Sequence, residues 1–145
     1  MEKNDLKFLI LFFYYNRPEM VLNAIKSLNK NTYKNFEIAF IDDGSDQPGE
    51  EVVRKELKPS FVKKTTFYNT NDTVEAKIER GGSEFGKIAN EAVKNSDADI
   101  VLMLCDDDAL FPDYLDKLNK FYKYNPKINY AYCKLKYYDP TKQSY

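Results

Sequence analysis

The sequence predicts an α/β protein, a three-layer α/β/α sandwich with a mostly parallel sheet, and three features carry that prediction. Leu6 to Phe13 (LKFLILFF) and Ile100 to Leu104 (IVLML) are continuous apolar runs, as expected of strands covered on both faces. Segments with apolar residues at helical spacing separate such runs, giving the order βαβαβαβαβ. Parallel neighbours need a helical crossover between them, so helices should lie on both faces of the sheet. With 145 residues and 43% hydrophobic content, the chain suits one core, and residues 1–145 read as a single domain without repeat or linker.

The first strand, Leu6 to Phe13, ends in YYNRPE. Pro18 suits a first helical turn, and Val21, Leu22, Ile25 and Leu28 then recur at helical spacing up to NKNTYKN. Phe36 to Ile41 (FEIAFI) is the second strand, cut off by DDGSDQPG, which collects turn-forming residues. A short helix over Glu50 to Leu57 follows, then a weaker strand over Lys64 to Tyr68. Asn69 to Gly82 is polar and contains the Gly-Gly pair, so a mobile loop is expected there. Ser83 can cap a helix whose Phe85, Ile88, Ala89, Ala92 and Val93 share one face. After the strand Ile100 to Leu104, Pro112 opens a helix with Leu115, Leu118, Phe121 and Tyr122 inward. Asn125-Pro126 stops it, and Ile128 to Tyr138 reads as a final strand.

Composition narrows the chemistry. The 22 basic and 23 acidic residues nearly cancel, so no basic field argues for a nucleic-acid partner. No apolar run approaches the roughly 20 residues of a membrane helix, and the start MEKNDLKFLILFF lacks the pattern of a signal peptide. The expectation is a soluble cytoplasmic protein. Cys105 and Cys133 lie in apolar segments outside any CxxC pair and are expected to be buried thiols. The absence of histidine removes Ser-His and Cys-His schemes, leaving carboxylates, lysine, arginine, tyrosine or a metal.

In open parallel sheets, ligands bind outside the carboxyl ends of the strands, near the point where strand order reverses. The segments following the first, second and fourth strands are YYNRPE, DDGSD and CDDDALFPD, all polar and charged. Each alone is also ordinary turn or helix-start chemistry. Together, the fold brings them to one edge. Asp106, Asp107 and Asp108 repel one another unless a counter-charge is present, and a divalent cation would resolve this. Hard carboxylate oxygens suit Mg²⁺ or Mn²⁺, whose shells are completed by waters and substrate phosphates. GxGxxG and GxxxxGK[ST] fingerprints are both absent.

These residues resemble a known family. An apolar strand followed by YNR, then NFEIAFIDDGSDQ, IANEAV and IVLMLCDDDALFPDYL, is similar to the nucleotide-binding half of GT-A glycosyltransferases of family 2, from Leu6 to about Tyr138. The resemblance implies a Rossmann-like nucleotide-sugar site in which Asp43 binds the base of a donor, a UDP-sugar above all. It places Phe13 and Tyr15 around base and ribose, and adds Arg17 and Arg80 as nucleotide contacts. Counting back from Pro112 puts the family's first aspartate at Cys105, a departure, and its metal-binding one at Asp107. Asp106 would then take the ribose contact and Asp108 would flank the metal. An alternative register, Asp106-x-Asp108, puts two carboxylates on one side of an extended segment about 6.6 Å apart. Mn²⁺ or Mg²⁺ is the implied cofactor, assisting departure of a diphosphate.

An inverting transferase also needs a carboxylate base, which in this family lies beyond the aspartate segment in an acceptor-binding half. It is expected beyond Tyr145, and no catalytic base is named. The acceptor, whether glycan, lipid or protein, and the oligomeric state stay open; the many aromatics could include a subunit surface. A degenerate, non-catalytic nucleotide-sugar-binding module is the main alternative. A nucleotidyltransferase is disfavoured because YYNRPE lacks glycine, and a receiver domain because the acids follow strands two and four.

Overall fold

A computed structural model describes residues 5–133 and 136. Its elements are β1 (Phe8–Tyr14), α1 (Val21–Lys30), β2 (Phe36–Asp42), α2 (Glu50–Glu56), α3 (Pro59–Val62), β3 (Thr65–Asn69), α4 (Val74–Arg80), α5 (Phe85–Lys94), β4 (Ile100–Cys105) and α6 (Tyr114–Tyr124). The strands form one sheet in the order β3-β2-β1-β4, and every pairing is parallel. β1 is central, in register with Phe36 of β2 and Ile100 of β4 at Phe8, which explains its unbroken apolar sequence.

Alternate residues of β1 serve opposite layers, as the two-residue period of a strand requires. Phe8, Ile10, Phe12 and Tyr14 pack with Val21, Ala24, Ile25 and Leu28 of α1, Val53 of α2, Phe61 of α3 and Leu115 of α6. Leu9, Leu11 and Phe13 meet Ile88, Ala89 and Ala92 of α5. The expected three layers are therefore present, with β4 only partly covered: Val101 and Met103 are exposed. β2 and β3 are built outward on one side of β1, whereas β4 joins its other side. The strand order reverses between β1 and β4, and their carboxyl ends define the crevice where such sheets bind ligands.

Several expectations need correction. The stretch over 69–82 contains α4, closed by Thr73, whose Oγ1 accepts from Ala76 N at 3.1 Å, and by Gly81 at φ 77°. Residues 128–133 carry no strand, and 134–135 and 137–138 of the expected final strand lie outside the described residues. Both cysteines are exposed, because Cys105 ends the half-covered β4 and Cys133 follows α6 in irregular backbone. On α6 the inward polar residue is Asn119, whose Oδ1 accepts from Leu6 N at 3.1 Å, while Phe121 is exposed. Among the described residues no helix is long and apolar enough to cross a membrane.

Candidate functional site

The loops after β1, β2 and β4 are fastened to one another by side-chain to backbone hydrogen bonds. Asn16 adopts φ 50°, a left-handed conformation that asparagine tolerates better than most residues. Its N–H donates to Ser45 Oγ (3.0 Å), and its Oδ1 accepts from Gln47 N (3.1 Å). Tyr15 N donates to Asp106 Oδ2 at 3.0 Å, which joins the ends of β1 and β4. Tyr14, buried, donates its hydroxyl to Gln47 O at 2.7 Å. The YYN sequence thus shapes the crevice before any ligand is considered.

The two aspartates after β2 divide their work. Asp42 is buried, and its oxygens accept from Ser45 N (2.9 Å) and Gly49 N (3.0 Å), closing the DDGSDQPG turn. Gly44 has φ 73°, and a Cβ there would lie 2.1 Å from Asp72 O, so the turn requires glycine. Asp43 faces the crevice instead. Its Oδ2 is 3.0 Å from Lys77 Nζ, and its Oδ1 accepts from Ser83 Oγ and, at 3.4 Å, from Thr70 Oγ1. The Lys77 ammonium also lies 4.3 Å from the centre of the Tyr15 ring. Tyr15, Asp43 and Lys77 therefore form one cluster contributed by the loops after β1 and β2 and by α4.

After β4, Asp106 turns inward and is only 5% exposed, whereas Asp107 and Asp108 face solvent. Arg17 Nη1 spans Asp106 Oδ1 (3.2 Å) and Asp107 Oδ2 (2.7 Å). The Asp106 charge, followed by the bond to Asp107, raises the Arg17 guanidinium above its ordinary range, so it stays fully charged. Cys105 Sγ and carboxylate oxygens of Asp107 and Asp108 lie within 4.8 Å of one another. Burial first, then Asp108, Asp107 and Asp106, pushes the Cys105 thiol up, so it remains protonated. The hard oxygens of Asp107 and Asp108 fit Mg²⁺ or Mn²⁺, with the neutral sulfur beside them a poor partner for Mg²⁺.

Seven of the eight expected site residues lie on the loops and strand ends described, and the eighth, Arg80, is on α4. Phe13, near the carboxyl end of β1, is packed edge-on against Phe85 of α5, centroids 5.4 Å apart. Arg80 pairs with buried Asp72 and donates to Gly82 O at 2.8 Å, with no bond to Asp43. Burial works against the charge on Asp72, yet Arg80 and Glu84 N hold its carboxyl below the usual carboxylate range. Lys77, Thr70 and Asp72 are site residues not expected from the sequence, and Ser83, expected to cap α5, donates its hydroxyl to Asp43, the α5 cap being Glu84. Thr73 and Gly81 bracket Lys77 as helix start and stop signals, and recognising α4 would have drawn attention to it. A depression of about 560 Å³ lined by Lys87, Asn90, Glu91, Lys94 and Asn95 sits on α5 and includes none of these residues.

Comparison with known proteins places the family and the fold. The sequence profile of the family Glycosyl transferase family 2 matches residues 10–145. An uncharacterized glycosyltransferase of Rickettsia conorii is 30% identical over 122 residues, covering 84% of this chain and 18% of that protein. Across the curated relatives, this chain spans 18 to 35% of their length. Among solved structures, Staphylococcus aureus TarS 1-349 in complex with UDP matches with a TM-score of 0.63 at 21% identity, over 82% of this chain and 32% of that one. The mannosyltransferase PcManGT of Pyrobaculum calidifontis, in complex with GDP-Man and Mn²⁺, gives 0.56 at 16% identity, over 77% and 30%. These structures share the fold, a GT-A arrangement, and with the profile match over nearly its whole length the chain belongs to glycosyl transferase family 2.

Proposed function

We propose that residues 1–145 form the donor-binding domain of a metal-dependent glycosyltransferase that takes a nucleoside-diphospho-sugar, a UDP-sugar foremost, and transfers its sugar with inversion. The observation that carries this reading is the meeting of Tyr15, Asp43 and the Asp106 to Asp108 segment at the strand-order reversal. Asp43 keeps acceptor capacity for a ring N–H of the base, since each carboxylate oxygen has more than one lone pair. Tyr15 and Phe13 give the base and ribose an aromatic surround, and Arg17 and Lys77 supply positive charge near the nucleotide, Arg80 being paired with Asp72. Asp106, buried at the end of β4, would accept from a ribose hydroxyl, while Asp107 and Asp108 would hold Mn²⁺ or Mg²⁺. When bound, the ion neutralises charge that develops on the departing diphosphate. UDP and GDP-Man in the neighbouring structures, and Mn²⁺ in one of them, support this choice of ligands.

The test is calorimetric titration of the purified chain with UDP, GDP, CDP and ADP, each with and without Mn²⁺. The proposal expects UDP to bind best and Mn²⁺ to strengthen it. Absence of binding by every nucleotide, in either condition, would refute donor binding by these residues.

A further inference from the structure

Three consecutive aspartates need a counter-charge, and the fold already supplies one. Arg17 reaches Asp106 and Asp107 together, placed by the left-handed turn at Asn16 and by the start of α1, where Val21 N donates to Arg17 O at 3.1 Å. The two contacts differ in character. Asp106 is buried and also holds Tyr15 N, so its role is tied to the joined ends of β1 and β4. The Asp107 side chain is 42% exposed and that of Arg17 is 48% exposed, so solvent ions reach this second contact. Asp107 is also one of the oxygens grouped with Asp108 at the candidate cation position.

We propose that Arg17 is the resident counter-cation of the Asp106 to Asp108 loop and that Arg17 and a divalent ion are antagonists at Asp107. The inference rests on Asp107 being a cation ligand, as in the proposed function. An ion on either carboxylate oxygen finds the guanidinium on its neighbour, so it must displace Arg17 or bind against its charge. The cation affinity of the loop is thereby set by a residue ninety positions earlier in the chain. Lys77 is committed to Asp43 and Tyr15, whereas Arg17 pairs with Asp106 and Asp107.

The experiment is titration with Mn²⁺ alone, without nucleotide, of the wild-type chain and the variants Arg17→Gln, Arg17→Lys and Asp107→Asn, read by the electron paramagnetic resonance of free Mn²⁺. Removing one positive charge at about ion-pair distance in a well-screened site should tighten Mn²⁺ binding roughly three- to tenfold in Arg17→Gln. Arg17→Lys should stay near wild type, and Asp107→Asn should lose the site. A merely structural Arg17 would give a lower unfolding midpoint in Arg17→Gln with unchanged or weaker Mn²⁺ binding, and that result overturns the proposal. Equal binding by wild type and Arg17→Gln refutes the antagonism alone; no binding by any protein refutes the cation reading of Asp107 with it. Should Arg17→Gln fail to fold, nuclear magnetic resonance of the wild-type guanidinium decides: saturating Mg²⁺ should shift the Arg17 side-chain signals, and unmoved signals at saturation would contradict the proposal.

Discussion

Replacing Asp42 with alanine should damage the fold more than the binding chemistry would suggest. Its two carboxylate oxygens accept from Ser45 N at 2.9 Å and Gly49 N at 3.0 Å, and the residue is 3% exposed. Alanine leaves both N–H groups without an acceptor. Stranding a buried donor costs about 1 to 3 kcal/mol, and Gly49 is buried while Ser45 is half-buried, so the sum is about 2 to 4 kcal/mol. That is a large share of the roughly 5 to 15 kcal/mol available to a domain. Asp42→Asn retains one acceptor oxygen and turns an amide donor toward the other N–H, so its cost should be about half as great. Urea unfolding followed by circular dichroism measures both. An Asp42→Ala protein within about 0.5 kcal/mol of wild type would show that the turn is held otherwise and that the division of labour between Asp42 and Asp43 is mistaken.

The neighbouring aspartate should behave in the opposite way. Asp43→Ala breaks a partly exposed pair with Lys77 and should cost no more than about 1 kcal/mol of stability, yet lower UDP affinity both with and without metal; loss confined to the metal-dependent part would exclude a base contact. Asp107→Asn should abolish the Mn²⁺ enhancement of UDP binding while leaving the unfolding midpoint unchanged, and retained enhancement would remove Asp107 from the cation site. Asp72 has a depressed carboxyl in the folded state, held so by Arg80 and Glu84 N against the effect of burial. A depressed folded value means that its stabilisation is present above the ordinary carboxylate range and lost as pH falls through the folded value. Asp72→Asn should therefore flatten the acid limb of the stability profile; an unaltered limb would show that the Arg80 pair contributes nothing there.

The parts of the fold legible in the sequence were those dictated by burial. β1, β2 and β4 announce themselves as unbroken apolar runs because a central parallel strand is covered on both faces, and α1 and α5 follow from their apolar periodicity. α4 was hidden because it buries no residue: Val74 and Ile78 are exposed, and its polar surface looked like loop. Its cap residues, Thr73 and Gly81, were the readable signal. Cys105 misled because an apolar strand suggests burial on both sides, whereas α5 packs against β1 and β2, and Val101, Met103 and Cys105 of β4 are exposed.

The same distinction applies to the site. Loops at strand ends could be assigned to a common edge from topology alone, and the convergence of Tyr15, Asp43 and Asp106 follows from the parallel order. Which charge meets which could not be read, because it depends on loop geometry fixed by single residues such as Asn16 and Gly44. Hence a divalent ion was invoked to balance the three aspartates when Arg17 already balances part of that charge. Arg80, selected by its place before α5, is committed to Asp72, and Lys77 holds the position beside Asp43.

The most direct test of the donor-site account is a crystal structure of this chain grown with UDP and Mn²⁺. The account predicts the base beside Asp43 and Tyr15 and the ion on Asp107 between the loop and the diphosphate. UDP seated elsewhere, or in this crevice with its base away from Asp43 and its ion on residues other than Asp107 and Asp108, would contradict it.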